Sequence, residues 1–192
     1  MITAKKVNSK NYTILVNRNF LLQKNYVPSN LICTDIPFDA KKDNPKRLLE
    51  CEAAHAVKKL FLRAQQDGLA LYGISGYRSY DRQAELFSKS SSGFVAPPGA
   101  SEHQTGLALD VSCPCLHMEL SQEFEATHEG QWLVKHAPLY GFILRYPKGK
   151  EDITGFPYEP WHIRYVTRPL SAYLSLTGQT LEEYHELSHF FQ

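Results

Sequence analysis

What this sequence lacks narrows it first. No stretch approaches the ~20 consecutive apolar residues of a membrane span. The early lysines of MITAKKVNSKNYTILVNRNF are followed by no apolar run long enough for a secretory signal. We therefore expect no membrane span and a cytoplasmic chain, with a cell-envelope location as the alternative if an export segment lies upstream. Charge of one sign is also lacking, since 21 Lys+Arg against 20 Asp+Glu leave a net +1 at pH 7. A nucleic-acid partner is not expected, because counterion-driven binding needs clustered positive charge. Repeats and low-complexity segments are missing too. Cysteine is scarce, at Cys33, Cys51, Cys113 and Cys115. A chain of 192 residues buries roughly 70% of its unfolded surface and needs no disulfide framework. Free thiols are expected. Cys113-Pro114-Cys115 lacks both the usual zinc-staple spacing and a second pair, which leaves a metal or redox role as the alternative there.

What is present is an ordinary globular composition, 43% hydrophobic and 21% charged, with eight histidines. Imidazole is the commonest metal ligand and titrates near neutrality. One domain over residues 1–192 is expected, with residues 1–44 as an extended arm wrapping it. Asn44-Pro45 reads as the opening of a helix. Leu49, Ala53, Ala56, Val57, Leu60 and Ala64 give it an apolar stripe, and Gly68 ends it. Further helices are expected over 81–89, over 129–137 and from Thr180, where Glu183 completes a capping box. Strands are expected over 69–74, 107–111, 142–146 and 162–166. The Ser-, Gly- and Pro-rich segment 90–99 reads as a loop, and Lys148-Gly149-Lys150 as a turn. Helices and strands intermix without strict alternation, which favours an α+β fold over a doubly wound sheet.

Three clusters carry chemistry: Ser75-Gly76-Tyr77-Arg78-Ser79, then Ser101-Glu102-His103-Gln104-Thr105-Gly106-Leu107-Ala108-Leu109-Asp110, then Glu159-Pro160-Trp161-His162. Asp110 shares one strand face with Ala108, while Leu107 and Leu109 share the other. A carboxylate in so apolar a strand is costly to bury unless it is paired or bound to a metal. Pro160 makes the Glu159–His162 segment a turn feeding a strand, and such a turn aims both side chains at one point. Two imidazoles and one carboxylate leave a coordination position for water, as catalytic zinc sites do. His103, Asp110 and His162 are thus the natural ligands of one catalytic zinc ion, and Glu159 the natural base. Arg78 has two readings, a surface ion pair or a guanidinium that holds an oxyanion or a substrate carboxylate. Tyr77, Ser79 and Gln83 are near enough in sequence to add polar contacts. Trp161 reads as packing that fixes the turn.

Together the clusters resemble the VanY-type zinc D,D-carboxypeptidases, whose relatives include VanX-type D,D-dipeptidases, bifunctional VanXY enzymes and L,D-carboxypeptidases. The pattern S-G-Y-R-S, S-x-H-x-x-G-x-A-x-D and E-P-W-H occurs in order and without a substitution at its functional positions. The resemblance runs from about Val27 to Glu186 and is densest at 140–147 and 158–166. It implies the fold shared by hedgehog signalling domains and D,D-peptidases, helices packed on a small, mainly antiparallel sheet. It also implies that His103, Asp110 and His162 hold zinc, that Glu159 is base and then acid, and that Arg78 steadies the oxyanion. Gln83 matches a position that helps bind the terminal D-alanine. Ser101, Tyr77, Ser79 and Trp161 join it as candidate substrate contacts. A serine that assists the substrate carboxylate stays open among Ser88, Ser90, Ser91 and Ser92.

The implied substrate is a peptidoglycan stem peptide or a D-Ala-D-Ala-terminated precursor, which loses its last D-alanine. That loss would remove the end to which glycopeptide antibiotics bind. Dipeptidase, bifunctional VanXY-like and L,D-carboxypeptidase activities share the same residues and remain alternatives. So does a zinc-bearing binding module, against which intact Glu159 and Arg78 argue. The Cys-Pro-Cys element is no part of the family pattern.

Overall fold

The computed structural model describes residues 11–90 and 94–190. Two short strands, β1 (Leu31–Cys33) and β2 (Leu48–Glu50), pair antiparallel and lead into helix α1 (Cys51–Gln66). Strand β3 (Tyr72–Ser75) and helix α2 (Tyr80–Lys89) follow, then β4 (Ala108–Ser112), α3 (His128–His136) and β5 (Phe142–Leu144). The chain continues through a single turn, α4 (Glu151–Thr154), then β6 (His162–Tyr165), α5 (Arg168–Thr177) and α6 (Leu181–Phe190). This mixture of helices with antiparallel sheet is the α+β architecture expected. Among the described residues no helix is long and apolar enough to cross a membrane.

Strands β3 to β6 form one antiparallel sheet in the order β3-β4-β6-β5. Its central strand β4 is buried along its whole length, so both faces are covered. Leu109 and Val111 join the main core with Val57, Leu60 and Phe61 of α1. Burial of each such side chain stabilises the fold by about 1.5–3 kcal/mol. The alternating residue Asp110 emerges on the opposite face. In the β4–β6 register it lies directly across from His162. The sheet therefore supplies two adjacent polar side chains at its centre.

Asn44-Pro45 does not open the long helix. Asn44 caps only a single turn, Pro45–Arg47, after which Leu48–Glu50 extends to pair with β1. A nonlocal strand partner overrides the local start signal. Leu49 remains wholly buried, on a strand instead of the helix. The true cap of α1 is Glu50, whose carboxylate accepts from Glu52 N at 2.8 Å and Ala53 N at 3.4 Å. The first apolar strand sits later than its hydrophobic run, at Tyr72–Ser75. Helix α5 carries no expectation above, although Leu170 and Leu174 are buried one turn apart.

Segment 11–44 lies across the domain with little regular structure. Leu22 N donates to Gly99 O, and the carbonyls of Tyr12 and Ile14 accept from Arg164. Two glycines are fixed by close approach. A Cβ on Gly106, which has φ +69°, would meet Leu31 Cδ2 at 2.7 Å. One on Gly76 would meet the Leu48 carbonyl at 2.6 Å. Both turns bring catalytic candidates together, so the tight backbone there is what positions the site.

Candidate active site and metal centre

His103 sits in the single helical turn Glu102–Thr105, which Gly106 closes in a left-handed conformation. Its Nδ1 donates to the Gly76 carbonyl at 2.7 Å, which turns Nε2 toward Asp110 Oδ2 at 3.1 Å. The other Asp110 oxygen lies 2.9 Å from His162 Nδ1. The two imidazoles meet edge to face, with centroids 5.0 Å apart. Glu159 Oε2 stands 3.6 Å from the same His162 nitrogen. The Glu159–His162 turn is closed by His162 N donating to Glu159 O, as Pro160 leads one to expect. All four side chains are buried.

The donor set asks for a cation. Burial and the Arg78 charge lower the His103 pKa, against the pull of Asp110, so neutral imidazole is favoured. With Nδ1–H committed to Gly76, neutral Nε2 offers a lone pair to a carboxylate oxygen that also offers only lone pairs. Burial pushes His162 down as well, yet Asp110, Glu102 and Glu159 outweigh it and raise its pKa to about 9. Burial likewise opposes ionisation of Asp110, and the two histidines more than compensate, holding it well below the usual carboxylate range. One ligand atom from each of the three residues lies within 4.8 Å of the other two. The residues fit a metal that accepts nitrogen and oxygen donors with one position left open.

Glu159 behaves differently. Burial raises its pKa to about 8, although His162 and Arg78 pull the other way. It is a proton acceptor poised near neutrality, the property a general base requires. Arg78 follows β3 and is held from several sides. Its N donates to His103 O at 3.1 Å, its Nη1 to Gln83 Oε1 at 2.8 Å and its Nη2 to Ser75 Oγ at 2.9 Å. Nη2 also lies 3.9 Å from Asp110 Oδ2. The guanidinium is thus locked in one plane at the site.

These groups form one end of a cavity of about 790 Å³, whose wall includes Arg78, Ser101, His103, Asp110, Glu159 and His162. Its remaining wall is largely apolar, with Leu86, Phe94, Leu120, Phe156 and Trp161. Trp161 packs against Phe94 at 6.0 Å between centroids. Tyr77, Ser79 and Gln83 are not among the lining residues. Ser79 caps α2 through Arg82 N, and Gln83 is engaged at both ends, accepting from Arg78 and donating to Ala96 O at 2.6 Å. Of the candidate serines, Ser90 lines the cavity, Ser88 donates to Glu85 O, and Ser91 and Ser92 lie outside the described residues.

Sequence reasoning passed over the layer beneath the site. Glu102 Oε1 accepts from Arg145 Nε at 2.7 Å and Arg164 Nη1 at 2.6 Å. Arg145 continues to both oxygens of Glu182 in α6, at 2.8 and 2.6 Å. Asn17 Nδ2 also donates to Glu182, at 3.0 Å. The second oxygen of Glu102 faces His162 Nε2 at 3.7 Å. Tyr146 packs on the His162 ring at 4.9 Å. These charges are 37 to 62 residues apart along the chain, so no spacing announces them.

Comparison with known proteins agrees with this geometry. The family profile described as VanY, D-alanyl-D-alanine carboxypeptidase, matches residues 46–168. A bifunctional D-Ala-D-Ala dipeptidase and D-Ala-D-Ala carboxypeptidase, VanXYC of Enterococcus gallinarum, is 36% identical over 182 residues, spanning 90% of this chain and 92% of that protein. The solved structure of the LD-carboxypeptidase LdcB superposes with a TM-score of 0.89 at 44% identity, covering 94% of this chain and 88% of that one. A point mutant of the vancomycin-resistance D,D-pentapeptidase VanY, solved with Zn(II), superposes with a TM-score of 0.68 at 31% identity, covering 90% of this chain and 98% of that one.

Proposed function

The chain belongs to the VanY family of D-alanyl-D-alanine carboxypeptidases, and from that premise we propose that it is a zinc-dependent D,D-carboxypeptidase acting on peptidoglycan stem peptides or their precursors. One observation carries this reading. His103 and His162 converge on the two oxygens of Asp110 at 3.1 and 2.9 Å, with Glu159 3.6 Å from His162 at the cavity wall.

His103, through Nε2, Asp110, through its carboxylate, and His162, through Nδ1, are the residues that would hold zinc. Bound there, zinc would supply Lewis acidity at the scissile carbonyl and lower the pKa of the attacking water to about 7. The chain's own groups do the rest. Glu159 takes a proton from that water, holds it at its buried carboxylate and returns it to the leaving amine. Arg78, fixed by Gln83 and Ser75, presents its remaining donors to the developing oxyanion or to the substrate's terminal carboxylate. Gln83 acts through Arg78, since both ends of its amide are taken. Phe94 and Trp161 line the cavity with apolar surface, which thins out the water around the reacting bond.

The higher structural likeness to LdcB favours a second reading, L,D-carboxypeptidase activity on tetrapeptides. The two readings differ in the residue that precedes the released D-alanine. Zinc-loaded protein incubated with pentapeptide, tetrapeptide and free D-Ala-D-Ala separates them when the released amino acid is identified by chiral chromatography. D-Alanine from pentapeptide supports the first reading, and D-alanine from tetrapeptide alone supports the second. Release from none of the three overturns both. Under the first reading, the D-Ala-D-Ala end recognised by glycopeptides is removed from the substrate.

A further inference from the structure

Cys113, Cys115 and Glu129 form a second cluster of metal-ligating groups that takes no part in the chemistry above. Cys113 follows the last residue of β4 in extended conformation. The turn Pro114–Leu116 then folds Cys115 back over it. Leu116 N and Met118 N both donate to Cys113 O, at 3.2 and 3.3 Å, and His117 N donates to Pro114 O at 3.0 Å. The two sulfurs come to lie 3.1 Å apart. Glu129 arrives from the first turn of α3, its Oε1 accepting from Ala70 N at 3.3 Å. One ligand atom from each of the three lies within 4.8 Å of the others.

The turn that follows β4 and helix α3 therefore present two sulfurs and a carboxylate oxygen to one point. Cys113 is buried, Glu129 half-buried and Cys115 exposed, so the point is closed from below and open to solvent above. Each group is negative when ionised. Burial, the neighbouring thiol and Glu129 together push the Cys113 thiol up to about 12. A cation between the three removes that repulsion and takes the place of the thiol protons. Sulfur donors select soft or borderline ions over magnesium and calcium.

We propose that Cys113, Cys115 and Glu129 bind a thiophilic divalent cation of the zinc class, at a site separate from His103, Asp110 and His162. The site does not depend on the peptidase reading. Its position gives it an effect on the cavity. The loop that leaves Cys115 is tied back by Ser112 Oγ donating to Glu119 O at 2.7 Å, and its next residues, Leu120, Ser121 and Gln122, line the cavity. The ion clamps the root of that wall to α3.

Cobalt(II) titration of metal-free protein, kept reduced with a non-thiol reductant, tests the proposal. A cobalt–thiolate site gives a charge-transfer band in the near ultraviolet, which His103, Asp110 and His162 cannot give because they contain no sulfur. The expected result is such a band that disappears in Cys115→Ser and needs at least about tenfold more cobalt in Glu129→Gln. Cys33→Ser and Cys51→Ser should leave it unchanged. Absence of the band while all thiols are titratable overturns the proposal, as does a band that follows Cys33 or Cys51. So does a Cys113–Cys115 disulfide, seen as loss of two hydrogens by mass, that persists in the reduced sample with cobalt present.

Discussion

Two buried polar layers lie back to back in this molecule, and they are built on opposite terms. In the lower one, Glu102, Arg145, Arg164 and Glu182 balance two carboxylates against two guanidiniums, with short hydrogen bonds between them. In the upper one, two imidazoles and two carboxylates converge, and the lone pair of His103 Nε2 faces those of Asp110. The lower layer balances its own charges, and only Glu102 Oε2, which faces His162 at 3.7 Å, is left without a hydrogen bond. The upper layer is completed only by a proton or a cation, and that separates a structural network from a reactive site at nearly identical burial.

Four experiments would break or sharpen this contrast. The largest effect is expected in the upper layer. Glu159→Gln should lower peptide turnover by about 10²- to 10⁴-fold while zinc content, measured by atomic emission, and thermal stability hold. Retained turnover would remove Glu159 from the role of base. In the lower layer the response should be the reverse. Arg145→Leu leaves Glu182 buried with Asn17 but no cation and Glu102 with Arg164 alone, and should cost about 3–5 kcal/mol in urea denaturation. A loss under about 1 kcal/mol, the scale of an exposed ion pair, would mean that the charges of this network do not depend on one another.

Cys115→Ser protein is the parent for the third experiment, so that the Cys113–Cys115–Glu129 site does not contribute, and zinc held by His103, Asp110 and His162 should act on the upper layer. At a concentration about 100 times its Kd it should add about 2.7 kcal/mol of stability, read as a rise in melting temperature. Adding Asp110→Asn to that parent should abolish the rise, whereas a rise of unchanged size would place the stabilising ion elsewhere. The smallest effect lies at the start of α6, beside Glu182 of the lower layer. Thr180→Ala removes the cap of α6, where Thr180 Oγ1 accepts from Glu183 N at 3.2 Å, and should cost about 1 kcal/mol. The reciprocal bond, Thr180 N to Glu183 at 2.7 Å, adds a pH signature. Lys150 and the Thr180 amide lower the Glu183 pKa, so its contribution is full above the unfolded carboxylate value and fades as pH falls through the folded one. Acid titration of stability should show this loss in the parent and a smaller one in Thr180→Ala.

The contrast also explains which parts of the molecule the sequence alone makes legible. Zinc-type donors announce themselves because His103 and Asp110 share one local segment and Glu159 and His162 share one turn. The capping box at Thr180 and Glu183 is equally local, and it forms as expected. Leu48–Glu50 misleads because an extended partner well upstream, Leu31–Cys33, decides its conformation. Gln83 has the sequence position of a substrate contact, yet only the fold reveals Arg78 and Ala96 at its two ends. Glu102 stands in plain view inside the His103 cluster. Its meaning depends on Arg145 and Arg164, whose positions no periodicity relates to it.

The lower layer also joins distant parts of the chain. Arg164 holds the carbonyls of Tyr12 and Ile14, while Glu182 is shared by Arg145 and Asn17. The bedplate of the two histidines is thus bolted at one side by residues near position 14 and at the other by the last helix. Nicking either fastening would blur the alignment of His103 and His162 before any helix melted, so affinity for added zinc would fall before circular dichroism does. The reacting centre is tuned from places that a substrate never touches.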